Sequence, residues 1–327
     1  MSFQPRFSLR QLSYFLELAE SATLSEAAVR LNLSQGALSE SLRELEADLG
    51  LQLFVRRRAL GITLTRPGRE LLAHARNVLV AAEDFQARAQ GKGAVLAGRF
   101  TVGCYTTLAP FLMPKLMADC RAAHPQVEIE LIEGSAEDIQ QRLHDGRCDV
   151  AVLYDFDLAA DTLRDDLYRV VPHVLLPRGH RLAGQAKVEL RRLAGERLIQ
   201  FALPPAEHNT QQIFDNVGIA PKVWLRTRNF ELVRSLVARG LGYSVLLQRP
   251  PVEVSYDGHS VIACGIARLT SAFAVVLARS PFMAPSQRLE LFRAFCMASL
   301  AAAAPHATGY ARPAPAARRA RRRRGST

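Results

Sequence analysis

Apolar positions in the first 65 residues recur at the three-and-four spacing of short packed helices. Leu9, Leu12, Phe15, Leu16, Leu18 and Ala19 mark one helix, and Leu24 to Leu31 mark a second. Asn32 and Leu33 break the pattern. Ser34 then stands as an N-cap for a third helix running to Leu49, and Gly50 is placed to close it. Leu38, Leu42, Leu45 and Leu49 share one face of that helix. A helix, a turn of about three residues and a capped second helix make a helix-turn-helix, here over 24–43. A generic helical hairpin has the same periodicity, so the next segment separates the two. Leu53-Phe54-Val55 and Ile62-Thr63-Leu64 flank a basic, Gly-containing turn that suits a β-hairpin wing. Five arginines (Arg56, Arg57, Arg58, Arg66, Arg69) precede the next acid, and residues 8–65 read as one winged helix-turn-helix domain.

Residues 66–92 form the next unit, a long helix with Pro67 in its tolerant first turn. Leu71, Ala75, Val78, Ala82, Phe85 and Ala89 repeat at spacings of four and three, the seam of a coiled coil. The seam predicts dimerisation, with packing inside one chain as the alternative, and Gly91-Lys92-Gly93 makes a joint after it. Beyond Gly98 the texture becomes alternating strands and helices. Strands are expected at 100–104, 127–132 and 149–154, with helices at 108–123 and 136–145 between them, which implies an open, mostly parallel sheet. A second series has strands at 170–176, 198–201, 222–226 and 242–247 and a helix at 230–239. A strand at 273–278 and a helix at 286–300 are expected to return to the first lobe. The fold class is therefore mixed α and α/β, with a two-lobed domain over 98–300. Lobe I takes 98–165 and 266–300, and lobe II takes 166–265. Such lobes bind ligands in the crevice at the carboxyl ends of their strands.

Charge sharpens the picture less than its total suggests. The 327 residues carry a formal +11, but seven arginines and no acid fall in 301–327. That segment has no apolar periodicity and reads as a disordered basic tail, solvated by default, with phosphate binding as the alternative. Residues 1–70 hold nine basic against eight acidic side chains, so the positive charge of the front module is local to the wing. No apolar stretch is long enough to span a bilayer and the start lacks a secretory segment, so a cytoplasmic protein without membrane contact is expected. Five scattered cysteines show no metal or disulfide spacing; any redox role for Cys104 or Cys264 would depend on local environment. Neither GxSxG, GxxxxGK[ST] nor HExxH occurs, which disfavours an enzyme. An α/β enzyme without a recognised motif and a solute-binding-protein-like sensor stand as the alternatives.

The chain resembles the LysR-type transcriptional regulators. The likeness runs through Leu9-Arg10-Gln11-Leu12-Ser13-Tyr14-Phe15, Ala27-Ala28, Ser34-Gln35-Gly36-Ala37-Leu38-Ser39, Leu53-Phe54-Val55-Arg56 and Leu64-Thr65-Arg66-Pro67-Gly68. It implies a winged helix-turn-helix, a linker helix and a two-lobed effector domain like periplasmic binding proteins. It also implies homodimers or homotetramers on double-stranded promoter DNA and a small-molecule effector, with RNA polymerase as a further candidate partner; no cofactor or metal is expected, since neither cysteines nor histidines show ligand spacing. Proline is common in the family where Gly36 stands, and a basic residue where Glu40 stands.

With the leucine face buried, Gln35, Ser39, Glu40 and Arg43 face outward near the end of the helix that reaches base edges. Gln35 can pair with adenine, Ser39 with a base or phosphate, and Arg43 with guanine or phosphate. Glu40 either accepts from cytosine or turns away. Ser34 and the first-turn N–H groups suit a phosphate, Arg56 to Arg58 would set the wing on the backbone or in a minor groove, and Thr65 resembles the family position that touches phosphate. For the effector, the loop Cys104-Tyr105-Thr106-Thr107 precedes a helix and offers hydroxyl and N–H groups to an anionic or polar group, and the family often uses this loop. Thr106 and Thr107 come first, then Ser135, with Phe201, Pro204 and Asn229 facing from lobe II; Ser135 and Asn229 also look like helix caps. Replacing Arg56, Arg57 and Arg58 by alanine is expected to weaken binding to every DNA sequence alike. It should also flatten the log–log salt dependence by up to about three, one per lost phosphate contact, in anisotropy titrations across salt.

Overall fold

The computed structural model describes residues 5–57, 61–89, 96–156, 158–204, 206–269 and 272–302. Arg58, the Gly91–Gly93 joint and residues 303–327 of the basic tail lie outside the described residues.

The front module is built by capped helices around an apolar core. Helix α1 (Leu9–Glu20) opens on Ser8, whose hydroxyl accepts from the Gln11 N–H while the Gln11 side chain accepts from Ser8 N–H. Helix α2 (Leu24–Arg30) is capped by Thr23 and α3 (Gln35–Leu49) by Ser34. The turn between α2 and α3 places Asn32 at φ 54, a left-handed conformation that asparagine tolerates. Gly50 ends α3 at φ 65. Ala27 and Ala28 are buried where α2 meets its neighbours, and Leu38, Leu42 and Leu45 fill the core beneath α3. Strands β1 (Phe54–Arg57) and β2 (Gly61–Leu64) pair antiparallel as the wing. The carboxylate of Glu46 in α3 accepts from both Leu53 N–H (2.7 Å) and Phe54 N–H (3.1 Å), which fixes the base of the wing to α3.

Helix α4 (Arg66–Ala89) starts on that base. Thr65 accepts from Gly68 N–H (3.0 Å) while its hydroxyl donates to Gln52 O (2.6 Å). The predicted seam divides along α4. Leu71 and Ala75 pack into the core of the front module, whereas Val78, Phe85 and Ala89 are exposed. The first third of the seam is taken up within the chain because α1 lies against it.

Lobe I is a five-stranded sheet in the order β4-β3-β5-β13-β6, from β3 (Gly98–Tyr105), β4 (Val127–Gly134), β5 (Val150–Tyr154), β6 (Leu163–Val170) and β13 (Phe273–Arg279). Strands β4, β3 and β5 run parallel, and β13 is antiparallel to both neighbours. Helices α5 (Ala109–Ala123), α6 (Ala136–His144) and α9 (Gln287–Ala302) belong to this lobe. Helix α9 extends two residues into the segment assigned to the tail.

Lobe II joins β7 (His173–Pro177), β8 (Lys187–Val188), β11 (Ser244–Leu246) and β12 (Val261–Ile266) in the order β11-β7-β12-β8. Parallel strands β9 (Arg197–Phe201) and β10 (Lys222–Thr227) continue it through a Leu198–Tyr243 bridge. Helices α7 (Ala206–Asn216) and α8 (Phe230–Ala238) cover this lobe. The single strand expected over 170–176 is two strands in different lobes, broken at Val171-Pro172, where proline supplies no N–H for a ladder. The chain crosses there and again between β12 and β13.

Gly68 sets how closely α4 lies on the wing: a Cβ there would stand 2.2 Å from Leu53 O. Gly68→Ala is expected to destabilise the front module by roughly 1–3 kcal/mol. Gly36→Ala, in open space on α3, should instead stabilise it by up to about 1 kcal/mol. Hydrogen exchange of the α3 amides checks both signs.

Candidate functional site

The exposed face of α3 carries most of the residues chosen from sequence. The Ser34 hydroxyl accepts from Ala37 N–H (3.1 Å) and so acts as the cap. Gln35 is exposed and donates to the Ser25 hydroxyl (2.8 Å), which ties the start of α3 to α2. A Cβ on Gly36 would meet no atom within 4 Å, leaving the backbone of the first turn open to close approach. Glu40 is exposed and pairs with Arg43 one turn on, Nε donating to Oε2 at 3.0 Å and Nη2 to Oε1. The Arg43 guanidinium holds the Glu40 carboxyl below the usual carboxylate range. Ser39 and Arg43 line a groove whose other wall is the wing, through Gln52, Phe54 and Ile62. Arg56 and Arg57 contribute backbone to β1. Thr65, by contrast, has its hydroxyl engaged at the start of α4, as described above.

Between the lobes lie two spaces. An inner cavity of about 440 Å³, counted with its mouth, is lined by Thr107 and Tyr154 from lobe I and mainly by lobe II, including Phe201, Asn209, Phe230 and Gln248. A wider outer cleft of about 1580 Å³, open to solvent, is lined by Ser135, Gln140 and His144 from lobe I and by Leu203, Pro204 and Arg228 from lobe II. Of the effector candidates from sequence, Thr107 and Phe201 line the inner cavity and Ser135 and Pro204 line the outer cleft. Thr106 and Asn229 line neither. Thr106 donates both its N–H (3.1 Å) and its hydroxyl (3.0 Å) to Gly134 O, and Asn229 accepts from Leu232 N–H (3.0 Å) as the cap of α8. Tyr154, Asn209 and Gln248 were missed. Tyr154 ends β5 and Gln248 follows β11, so the carboxyl-end rule could have found both.

Among the described residues, Leu203 and Leu247 of lobe II pack against the lobe I core, and three directional contacts join the lobes across the boundary. Tyr105 donates from its hydroxyl to Pro204 O (3.3 Å), Gln248 Nε2 donates to the Tyr154 hydroxyl (2.9 Å), and Phe111 meets Phe230 edge to face at 6.2 Å.

All five cysteines are buried. Burial pushes the Cys148 thiol up to about 12, and it raises Cys104, Cys120, Cys264 and Cys296 as well. Reactivity belongs to the thiolate, so none of these thiols is suited to rapid attack at neutral pH. Ellman titration at pH 8 is expected to find almost no fast-reacting thiol in the folded chain and five after unfolding. Rapid stoichiometric modification of the folded protein would contradict this.

Residues 9–69 match the family described as bacterial regulatory helix-turn-helix protein, lysR family, and residues 93–301 match the LysR substrate binding domain. The transcriptional regulator CfxR of Cupriavidus necator is 31% identical over 251 residues, covering 75% of this chain and 77% of the relative. A probable hydrogen peroxide-inducible genes activator of Mycobacterium avium is 33% identical over 260 residues, covering 78% and 82%. A solved putative LysR family transcriptional regulator from Pseudomonas aeruginosa is 33% identical with a TM-score of 0.61, over 90% of this chain and 99% of that one.

Proposed function

The chain belongs to the LysR family of DNA-binding transcriptional regulators, and we propose that a rigid joint between lobe I and α4 carries the state of the interlobe cleft to the DNA-reading helix. The carrying observation is Asn77 of α4. Its side-chain amide donates to Phe282 O (2.7 Å) and accepts from Ala284 N–H (2.8 Å), so one residue of the linker clamps both polar groups of a loop more than 200 residues away. Neighbouring contacts support the same reading. Gly146, at φ 72, lies so close to α4 that a Cβ would stand 2.9 Å from Arg76 Cδ. Arg147 donates to Ala19 O (2.8 Å) in the last turn of α1, where a cation is favoured. Arg288 of α9 reaches Glu83 of α4 (3.1 Å) and stacks over Phe100, 4.4 Å from its centroid.

In this reading the protein works as a homodimer or homotetramer joined partly through the exposed seam residues Val78, Phe85 and Ala89. Each dimer sets two copies of α3 in major grooves about one helical turn, or a multiple, apart. Gln35, Gly36, Ser39, Glu40 and Arg43 face the bases, and the wing and Ser34 face the backbone. An effector acts by binding one lobe arrangement more tightly than the other; its influence on DNA binding cannot exceed that difference. The chain performs no turnover in this scheme and operates in the cytoplasm, with the chromosome. Among the described residues no helix is long and apolar enough to cross a membrane. Response to peroxide, which the name of one relative reports, would require a reachable thiolate, and the burial of all five cysteines argues against it.

Two measurements test the scheme. Footprinting on DNA upstream of the chain's own gene should reveal paired half-sites. Asn77→Ala should keep those half-sites but raise hydrogen exchange in residues 72–80 and 280–286 about tenfold, as two bonds of about 1 kcal/mol each are lost from a partly exposed joint. Unchanged exchange in both segments would contradict the clamp.

A further inference from the structure

We propose that the inner interlobe cavity takes an uncharged, planar ligand that presents a hydrogen-bond donor and acceptor side by side, of the primary carboxamide or lactam class. The inference rests on reading this cavity as the effector site and adds what that effector is chemically.

Three observations converge on this class. The first is a pair of unpaired amide atoms. Gln248, 1% exposed, uses Nε2 on Tyr154 and leaves Oε1 without a partner; Asn209, 5% exposed, leaves Nδ2 without one. Both residues line the cavity, so the side chains that carry a buried unpaired acceptor and a buried unpaired donor border the same space. Buried polar groups are nearly always paired, and leaving them unpaired is costly. Turning the Gln248 amide over would let it accept from the Tyr154 hydroxyl and would leave an N–H group unpaired instead. A ligand group that both donates and accepts satisfies either arrangement.

The second observation is the absence of charge. Among the described residues, no Lys, Arg, His, Asp or Glu lines the cavity. A carboxylate entering it would lose its hydration with no opposite charge to meet, which a neutral amide avoids. The loop from which an anion site was expected has its Thr106 donors engaged by Gly134. The neighbouring hydroxyl of Thr210 donates to Ala206 O (2.9 Å).

The third is shape. Phe201 and Phe230 meet edge to face at 6.1 Å, and the Tyr154 ring stands opposite on lobe I. Aromatic walls favour a flat body. The walls now leave free room for little more than a water, so entry of a ring must part the Gln248–Tyr154 and Phe111–Phe230 contacts. Those contacts cross between the lobes, which makes this ligand class a lever on their arrangement.

The test compares benzamide with benzoate, two flat probes of nearly equal size that differ in charge and in donor capacity. Calorimetric titration of the full chain is expected to give at least about tenfold tighter binding for benzamide, because a site built to pair an N–H rejects an analogue lacking it. Gln248→Leu and Asn209→Leu, each checked for an unchanged far-UV spectrum, should each weaken benzamide by about tenfold. Equal or tighter benzoate binding, benzamide binding insensitive to both substitutions, or no binding of either probe overturns the ligand class. Thr107→Trp, which fills the mouth from lobe I, separates the two levels of inference. Benzoate binding as tight as benzamide binding, and lost in that variant, would keep the cavity as the effector site while rejecting the carboxamide class. Benzamide binding untouched by Thr107→Trp and by the other two variants would place the probe elsewhere and reject the cavity itself.

Discussion

Everything in this architecture turns on how lobe I is seated on the linker helix. A helix of 24 residues leaves the winged module as a rigid arm, and a rigid arm is useful only if its far side is gripped. The grip here is made of short-range, directional contacts. Asn77 is bonded both ways to one loop, the Gly146 backbone is in near contact with Arg76, and Arg147 closes the carboxyl end of α1. None of these is individually strong. Together they fix orientation, because each constrains a different direction, and orientation is what a protein reading two separated half-sites has to control.

The lobes beyond the joint have the opposite character. Between them, the directional contacts among the described residues are one hydroxyl to a carbonyl, one amide to a hydroxyl and one aromatic edge, beside the packing of Leu203 and Leu247 on the lobe I core. Two strand crossings connect them, at Val171-Pro172 and after β12, so lobe II can tilt while lobe I stays seated. A tight joint on one side of lobe I and a loose one on the other make the cleft the place where a small ligand has leverage. The Glu40–Arg43 pair shows the same economy at the DNA end. A carboxylate that would repel phosphate by itself is held by an adjacent guanidinium, so the outer face of α3 can carry an acid beside the backbone of a duplex.

The DNA-reading end was legible in the sequence because its signals are local. Ser34 and Gly50 bracket α3, the leucines fix its buried face, and the residues left over are those that face out. The interlobe end was legible only in part. Thr107 and Phe201 follow from the rule that ligands meet the carboxyl ends of strands. Helix α7 was not seen, since its buried face includes Asn209 and Thr210 beside Ile213 and Phe214 and so lacks apolar periodicity. Strand β12 alternates weakly through Ala263, Cys264 and Gly265, and Val170 with His173 to Leu176 read as one strand because the apolar run continues through a proline that ends it. Nothing in the local sequence marks Gln248 as buried. Only the packing of β11 against β7 and the approach of Tyr154 make it so.

Coupling between cleft and DNA is the central claim, and holding the cleft shut tests it most directly. Ala159 and Pro204 are exposed on opposite walls of the outer cleft, and the native thiols are buried, so cysteines placed at these two positions can be bridged selectively by a short bismaleimide. The measurement is the affinity of the bridged and unbridged full chain for DNA upstream of its own gene. A coupling of 1 kcal/mol or more predicts a change of at least about fivefold on bridging, absent from either single-cysteine control. Identical affinity and an identical footprint with the lobes bridged and free would contradict the account.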